Sequence, residues 1–580
     1  LADELPFFLM GREPVNSGCT APHDREEEHP MIHRILASLA VVSLLAAPPA
    51  RAADPSLPHL TEKDGRHALI VDGEPFLILG AQCHNSSAWP AVLPKVWSAT
   101  EALGVNTLEI PVYWEQFEPE PGRYDTSVVD TILTGAREHG LRLVLLWFAT
   151  WKNGSNHYMP EWMKLQPEKY PNILGAKGEP IDSPSPHAKA TLEADRRAFT
   201  ELMRHLKEAD PQHTIIMVQV ENEPGSWDAV RDHSKAAQAL FEGPVPAEAL
   251  AAMGVPEASG RSWTEAFGRD ADEFFQVWHV ARFIGQVAAA GKAVYPIPLY
   301  VNGAIRDPVD PGWPPRYEVG GPNDNVFPLW KAAAPAVDIL APDIYIADTD
   351  KYLKVLDLYA RPDNPLFVPE TIGSGAFSRF LFAALGRGAI GYAPFGMDDT
   401  VVRTRRDGTP LSPEEAYGST ALNYRMLRPM ARDIARLGFE GKVRTAIQMK
   451  VDPAAERGDP VDRVHYVTDQ TVHLEGWDAD VAFGTFRRLA RSDRQPEGPD
   501  GRILFAELGE SRYLMAGYHC RVMFRPTGER ASRPWQYLRV EEGTFVDGTF
   551  ETSRILNGDQ TDWGLVFVEP TVLRVSLYSR

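Results

Sequence analysis

Apolar positions along this chain fall into two regimes. From residue 66 to about 400, short uninterrupted apolar runs rich in β-branched and aromatic residues alternate with longer stretches whose apolar residues recur at helical spacing. Uninterrupted runs are what strands buried on both faces require, as in a parallel sheet covered by helices. Eight runs predict strands: Phe76 to Cys83, Asn106 to Trp114, Arg142 to Thr150, Thr214 to Glu221, Ile297 to Asn302, Ile339 to Ile346, Leu366 to Glu370 and Ala389 to Phe395. Helical spacing predicts helices over Ser127 to His139, Leu192 to Ala209 and Asp272 to Ala290. Eight strand and helix units predict an α/β architecture closed as a (β/α)8 TIM barrel. The competing arrangement, an open doubly wound sheet, would want a Gly-rich phosphate turn after its first strand, and this chain has none there.

After the eighth run, Ser412-Pro-Glu-Glu415 fits a capping box, and a helical pattern follows to Leu437, with Gly438 as its stop and Pro429 as an internal kink. Beyond Lys442 the pattern changes to short alternating runs: Arg463 to Thr468, Thr471 to Leu474, Arg512 to Met515, Arg521 to Arg525, Gly564 to Val568 and Val572 to Leu577. Alternation at a period of two with intervening turn residues predicts an all-β sandwich. The Arg488 to Gly501 stretch, rich in Arg, Asp, Pro and Gly, predicts an exposed loop. The expected organisation is a barrel over residues 53–440 and a C-terminal β-sandwich over 441–580.

The first residues follow neither pattern. Met31-Ile-His-Arg34 supplies a short positive start, Ile35 to Ala47 an apolar core too short to span a bilayer, and Ala50-Arg-Ala52 small residues for cleavage. Residues 31–52 therefore predict a bacterial-type signal peptide, and with it a periplasmic or secreted protein; a buried or membrane-anchoring helix is the alternative. Residues 1–30, mixed and acidic, are expected to be an over-extended or non-native leader. Cleavage would leave Cys83 and Cys520 as the only cysteines, so the core and not a disulfide framework has to hold the fold. No other apolar run is long enough to span a membrane. The formal charge of -20, with no stripe of Lys and Arg, argues against a nucleic-acid partner.

Candidate chemistry comes from two glutamates that close apolar runs. Glu223 ends Thr214-Ile-Ile-Met-Val-Gln-Val-Glu-Asn-Glu223 and Glu370 ends Leu366-Phe-Val-Pro-Glu370, the fourth and seventh predicted strands. Carboxylates at the C-terminal ends of barrel strands share one rim, where barrels keep their chemistry. Two carboxyl groups facing each other across a sugar are what a retaining glycosidase needs, one as acid/base and one as nucleophile. Asn222 is placed to bond the sugar 2-hydroxyl, and Tyr345, at the end of the sixth strand, to hold Glu370. Glu221 would share a face with Glu223 and pair with an Arg below the site. Trp114, Trp147, Trp151, Trp162 and Trp227 gather in or after strands; aromatic planes suit the C–H faces of sugars, and Trp151 is the foremost contact candidate. His84, His157 and His213 show no metal-ligand spacing, so neither a metal nor another cofactor is required.

Asn106-Thr-Leu-Glu-Ile-Pro-Val-Tyr-Trp114, Phe117-Glu-Pro-Glu-Pro-Gly-Arg-Tyr-Asp125 and Gln219-Val-Glu-Asn-Glu223 resemble glycoside hydrolase family 35, the β-galactosidases, over roughly Asp72 to Asp399. The chain looks like a divergent bacterial exported branch of that family, similar also to family 42. The resemblance implies Glu223 as acid/base, Glu370 as nucleophile and Asn222 as a sugar ligand, with Tyr113 and Asn85 among the substrate-binding positions. It departs from the family where Asn85, Thr150 and Pro224 replace a tyrosine, an acidic residue and a tyrosine. The expected function is an exported, retaining exo-β-galactosidase acting on plant-type oligo- or polysaccharides such as xyloglucan side chains. An endo-acting mannanase or glucanase of the same clan and a non-catalytic galactoside-binding protein are the alternatives. Loops carrying Trp227 and Trp313 would shape the leaving-group side.

Overall fold

A computed structural model describes residues 57–450, apart from 374, 402, 403, 405, 406 and 412, together with 468–484 and 499–580. The expected leader and signal peptide, Ser412 of the capping box, all but the last residue of the predicted Arg463 to Thr468 strand, and most of the Arg488 to Gly501 loop lie outside the described residues. A three-stranded antiparallel sheet, His59–Lys63, Arg66–Val71 and Glu74–Phe76, leads into the first barrel strand. The barrel strands are β1 (Ile78–Gln82), β2 (Thr107–Tyr113), β3 (Arg142–Lys152), β4 (Ile215–Asn222), β5 (Leu299–Ala304), β6 (Ile339–Ile344), β7 (Phe367–Val368 and Glu370–Thr371) and β8 (Gly391–Tyr392). Each follows one of the predicted runs, and β2 and β4 are buried at every position.

All neighbours pair in parallel, and the sheet closes where Gly391 of β8 meets Ile78 of β1. Strand β7 is broken at Pro369, which has no N–H to offer. Its first piece pairs with β8 and its second with β6, so Asp343 and Glu370 sit side by side. Helices Ser127–Glu138, Lys189–Ala209 and Ala271–Val294 cover the outside where helical spacing predicts them. The expected (β/α)8 barrel is borne out. Among the described residues, no helix is long and apolar enough to cross a membrane.

Pro429 divides the last helical stretch as expected, into Pro413–Leu427, a short 3-10 turn and Ala431–Phe439. The stop is not Gly438 but three residues on, at Gly441, which takes the left-handed φ of 73°. The C-terminal part is all β, as expected. A six-stranded sheet runs in the order Val443–Ile447, Arg502–Gly509, Arg512–Tyr518, Thr571–Ser579, Trp535–Val546, Thr549–Ile555, and a four-stranded sheet in the order Gln470–Leu474, Trp477–Phe483, Cys520–Pro526, Leu565–Phe567. Alternation decides what each face does. Ile503, Phe505 and Met515 pack against Trp477, Val522 and Phe567 of the other sheet, while Leu504, Ala506, Leu514 and Ala516 on the opposite face join the barrel core.

Candidate active site

Strand β4 ends on Glu221-Asn222-Glu223, and both glutamates hold left-handed backbone, with φ of 66° and 44°. Residues other than glycine take that conformation at a cost of about 1–3 kcal/mol each and keep it only where their surroundings hold them. Here the Trp151 N–H donates to Glu221 Oε2 at 2.7 Å, Asn302 Oδ1 accepts the Glu223 N–H at 3.0 Å, and the Gly154 N–H donates to the Glu223 carbonyl at 2.9 Å. The kink ends the simple alternation along the strand. Glu221 therefore does not share a face with Glu223 and meets no arginine; it is bonded to Asp195 of the helix Lys189–Ala209. Burial first, and then the Asp195 charge, push the Glu221 carboxyl well above the usual range, so it keeps a proton to share. Asp195 takes two further bonds, from Trp147 Nε1 at 3.0 Å and Thr150 Oγ1 at 2.5 Å.

Glu223 meets Glu370 and Asp343 at the barrel mouth. One carboxylate oxygen of each lies within 4.8 Å of one on each of the others. Among the described residues this is the single group of three or more His, Cys, Asp or Glu side chains brought so close, and neither a His nor a Cys belongs to it. Glu370 is buried; its Oε1 accepts from the Tyr345 hydroxyl at 2.5 Å and its Oε2 has no partner. Burial, and then the charge of Glu370, push Glu223 up to about 7, against the pull of Lys152 and of a hydrogen bond with Asp343. Carboxyls this close cannot all ionise together, so the cluster stores at least one proton near neutral pH. Burial also raises the Tyr345 hydroxyl, reinforced by Glu370, so it remains a donor.

Strand β3 contributes Lys152, whose ammonium donates to Asn222 Oδ1 at 2.8 Å and also to Asn153. Asn222 is thereby fixed, fully buried, with its amide nitrogen 3.5 Å from Gln219 Oε1. The two remaining aromatic candidates lie elsewhere. Trp151 is fully buried, its ring at 80° to that of Phe283 on the covering helix Ala271–Val294 and its indole N–H 3.3 Å from Ser183 Oγ, so it offers no face to a sugar. Tyr113 is buried beneath Trp89 and Tyr158, and its hydroxyl accepts the Ala88 N–H at 3.0 Å. Asn85 is half-buried with an unpartnered amide oxygen. Tryptophans exposed on strand-end loops are Trp89, Trp227 and Trp313.

Sequence reasoning missed Asp343, Lys152, Asn302 and Glu318. Asp343 carries the same signal as Glu370, a carboxylate at the end of a buried run, and that rule applied to the sixth strand would have found it. Lys152 closes the third run in the same way. Glu318 sits in a loop with no local signal; it is fully buried, both its oxygens lack partners, and burial followed by the nearby Glu223 charge keeps it protonated far above the usual range.

Residues 84–282 match the model of glycoside hydrolase family 42, described as β-galactosidase, and residues 420–568 match a domain of unknown function, DUF5597. A β-galactosidase of Xanthomonas manihotis is 29% identical over 205 residues, covering 34% of this chain and 31% of that protein. Human β-galactosidase is 30% identical over 210 residues, covering 34% of this chain and 28% of that protein. The chain thus spans less than a third of the length of either relative. The crystal structure of a cold-adapted β-galactosidase from Rahnella sp. R3 superposes with a TM-score of 0.45 at 17% identity, over 62% of this chain and 58% of that one. The resemblance to the β-galactosidases read from the sequence is borne out.

Proposed function

We propose that this protein is a retaining β-glycosidase that removes terminal β-galactosyl residues from oligo- or polysaccharides, including the side chains of plant polymers such as xyloglucan. One observation carries the reading: the carboxyls of Glu223 and Glu370, on the ends of β4 and β7, come within 4.8 Å of each other. Retaining enzymes hold their two carboxyls about 5–5.5 Å apart, whereas inverting enzymes leave about 6.5–9.5 Å for a water. Glu370 attacks the anomeric carbon as that bond to the departing oxygen breaks, and Glu223 gives its proton to the departing oxygen. Glu223, now a carboxylate, takes a proton from water as the water displaces Glu370. Tyr345 holds Glu370 Oε1 in line, leaving Oε2 as the free attacking atom. Asn222, oriented by Lys152, is the ligand of the sugar 2-hydroxyl. An exported location, periplasmic or secreted, belongs to the same proposal and rests on the residue pattern of 31–52.

A panel of nitrophenyl glycosides together with galactosylated xyloglucan, with the released sugars identified, tests the activity. Free galactose from both supports it; mixed chain fragments would point to an endo-acting enzyme, and binding without any released sugar to a lectin-like protein. Glu370→Gln is expected to abolish nearly all turnover without lowering the thermal melt, and a variant keeping most of its activity would exclude Glu370 as nucleophile.

A further inference from the structure

Asp343 lies beside Glu370 across β6 and β7, and Asn302 of β5 joins it to Glu223. The Asn302 amide nitrogen donates to Asp343 Oδ2 at 2.6 Å, and its oxygen accepts the Glu223 N–H at 3.0 Å. An amide so committed at both ends cannot flip, so Asp343 and Glu223 are held at a set separation. The other oxygen of Asp343, buried like the first, has no donor in reach. A carboxylate left so, with two more carboxyls inside 4.8 Å, is costly. The side chain is also hydrogen-bonded to that of Glu223, which a protonated Asp343 satisfies by donating. Glu370, Glu223, Tyr345, Tyr300 of β5 and Tyr359, at the end of the covering helix Thr349–Tyr359, are the titratable groups that feel Asp343, with the buried Glu318 beyond Glu223. Glu109 lies beyond Tyr300 and Glu370. Of the charged groups that act on Asp343, Lys152 is the cation, and its ammonium is bonded to Asn222 and Asn153.

We propose that Asp343 is a positioning residue for the acid/base, a neutral carboxylic acid that donates a hydrogen bond to Glu223 and supports its negative charge while the sugar is bonded to Glu370. The inference rests on the roles assigned above to Glu223 and Glu370. Asp343 keeps its own proton throughout: the proton lost to the departing oxygen comes from Glu223 and is replaced from water. The test is the pH dependence of kcat/KM and kcat on a nitrophenyl β-galactoside for the full chain, Asp343→Asn, Asp343→Ala and Glu370→Gln. An amide still donates but cannot ionise. Asp343→Asn is therefore expected to lose about 3- to 10-fold in kcat with its alkaline limb within about 0.3 pH unit of the parent's. Asp343→Ala, without the donor, is expected to lose about 100-fold, with an alkaline limb displaced upward. A downward displacement of about one unit in Asp343→Asn would mean that an anion had been neutralised, and would overturn the proposal. So would identical pH profiles and rates in the two Asp343 variants. Should Asp343→Ala fail to fold, the limb of Asp343→Asn decides alone. Retained activity in Glu370→Gln would instead strike at the assignment of the pair.

Discussion

At the scale of single residues, the site concentrates carboxyl groups where each makes the next harder to ionise. Glu223, pushed up to about 7 by burial and by Glu370, is a proton donor at the pH where an unperturbed glutamate would be an anion. A carboxyl whose folded-state pKa is raised contributes its stability in full below the unfolded value and loses it as pH climbs through the folded value. The window for Glu223 therefore runs from about 4.5 to about 7. Glu223→Gln is expected to leave the melting temperature near that of the parent at pH 4 and to raise it at pH 8, by a stabilisation of order 1–3 kcal/mol, since one pKa unit is worth about 1.4 kcal/mol. A melt displaced equally at both pH values would show that the charge of Glu223 is not the cause. Glu223 and Glu370 were legible because each closes an apolar run. Trp151 misled because an aromatic residue at a strand end looks the same in sequence whether it faces the barrel mouth or the helix layer, and here the kink beside Glu221 and the Phe283 ring settle it.

At the scale of elements, all eight strands were legible, since a run buried on both faces leaves no room for polar alternation. The left-handed turn at the end of β4 was not, because nothing in Glu-Asn-Glu-Pro-Gly marks two glutamates for positive φ; the bonds that impose it come from distant segments. Gly154 is one such segment, with φ of 72°. A Cβ there would come 2.6 Å from Glu318 Oε1 and 3.3 Å from the Trp227 ring, while its N–H holds the Glu223 carbonyl. Gly154→Ala is expected to lower kcat by about 10-fold or more, because it displaces Glu223, and to cost about 1–2 kcal/mol of stability. Gly122, with φ of 74° and nothing within 4 Å of a Cβ, supplies the comparison: Gly122→Ala should cost stability alone. Equal kcat values for the two variants would mean that the turn does not aim Glu223.

At the scale of the whole molecule, the sandwich is not an appendage, because its six-stranded sheet gives one face to the barrel. Arg502 lies fully buried at that junction, donating to Asn423 Oδ1 at 2.6 Å, the Asp500 carbonyl at 2.6 Å and the Ser419 carbonyl at 3.4 Å. Arg502→Met fills the space but leaves those acceptors unpaired, and is expected to lower stability by about 2–4 kcal/mol in urea unfolding with little change in KM. An unchanged midpoint would remove Arg502 from the account of how the two parts hold together. That a β-domain follows the barrel was legible from the switch to alternation; that Leu504 and Ala506 face the barrel was not, since a run apolar on both sides does not say what lies on either. All of this architecture leads to one geometric outcome, the carboxyls of Glu223 and Glu370 within 4.8 Å of each other at the rim. The most direct measurement is to trap the enzyme with a 2-deoxy-2-fluoro-β-galactosyl donor and map the modified peptide by mass spectrometry. The expected product carries one sugar per chain, bonded to Glu370, with Glu223→Gln still labelled by a donor whose leaving group needs no proton. A label on any other residue, or none while the parent enzyme turns over with inversion, would contradict it.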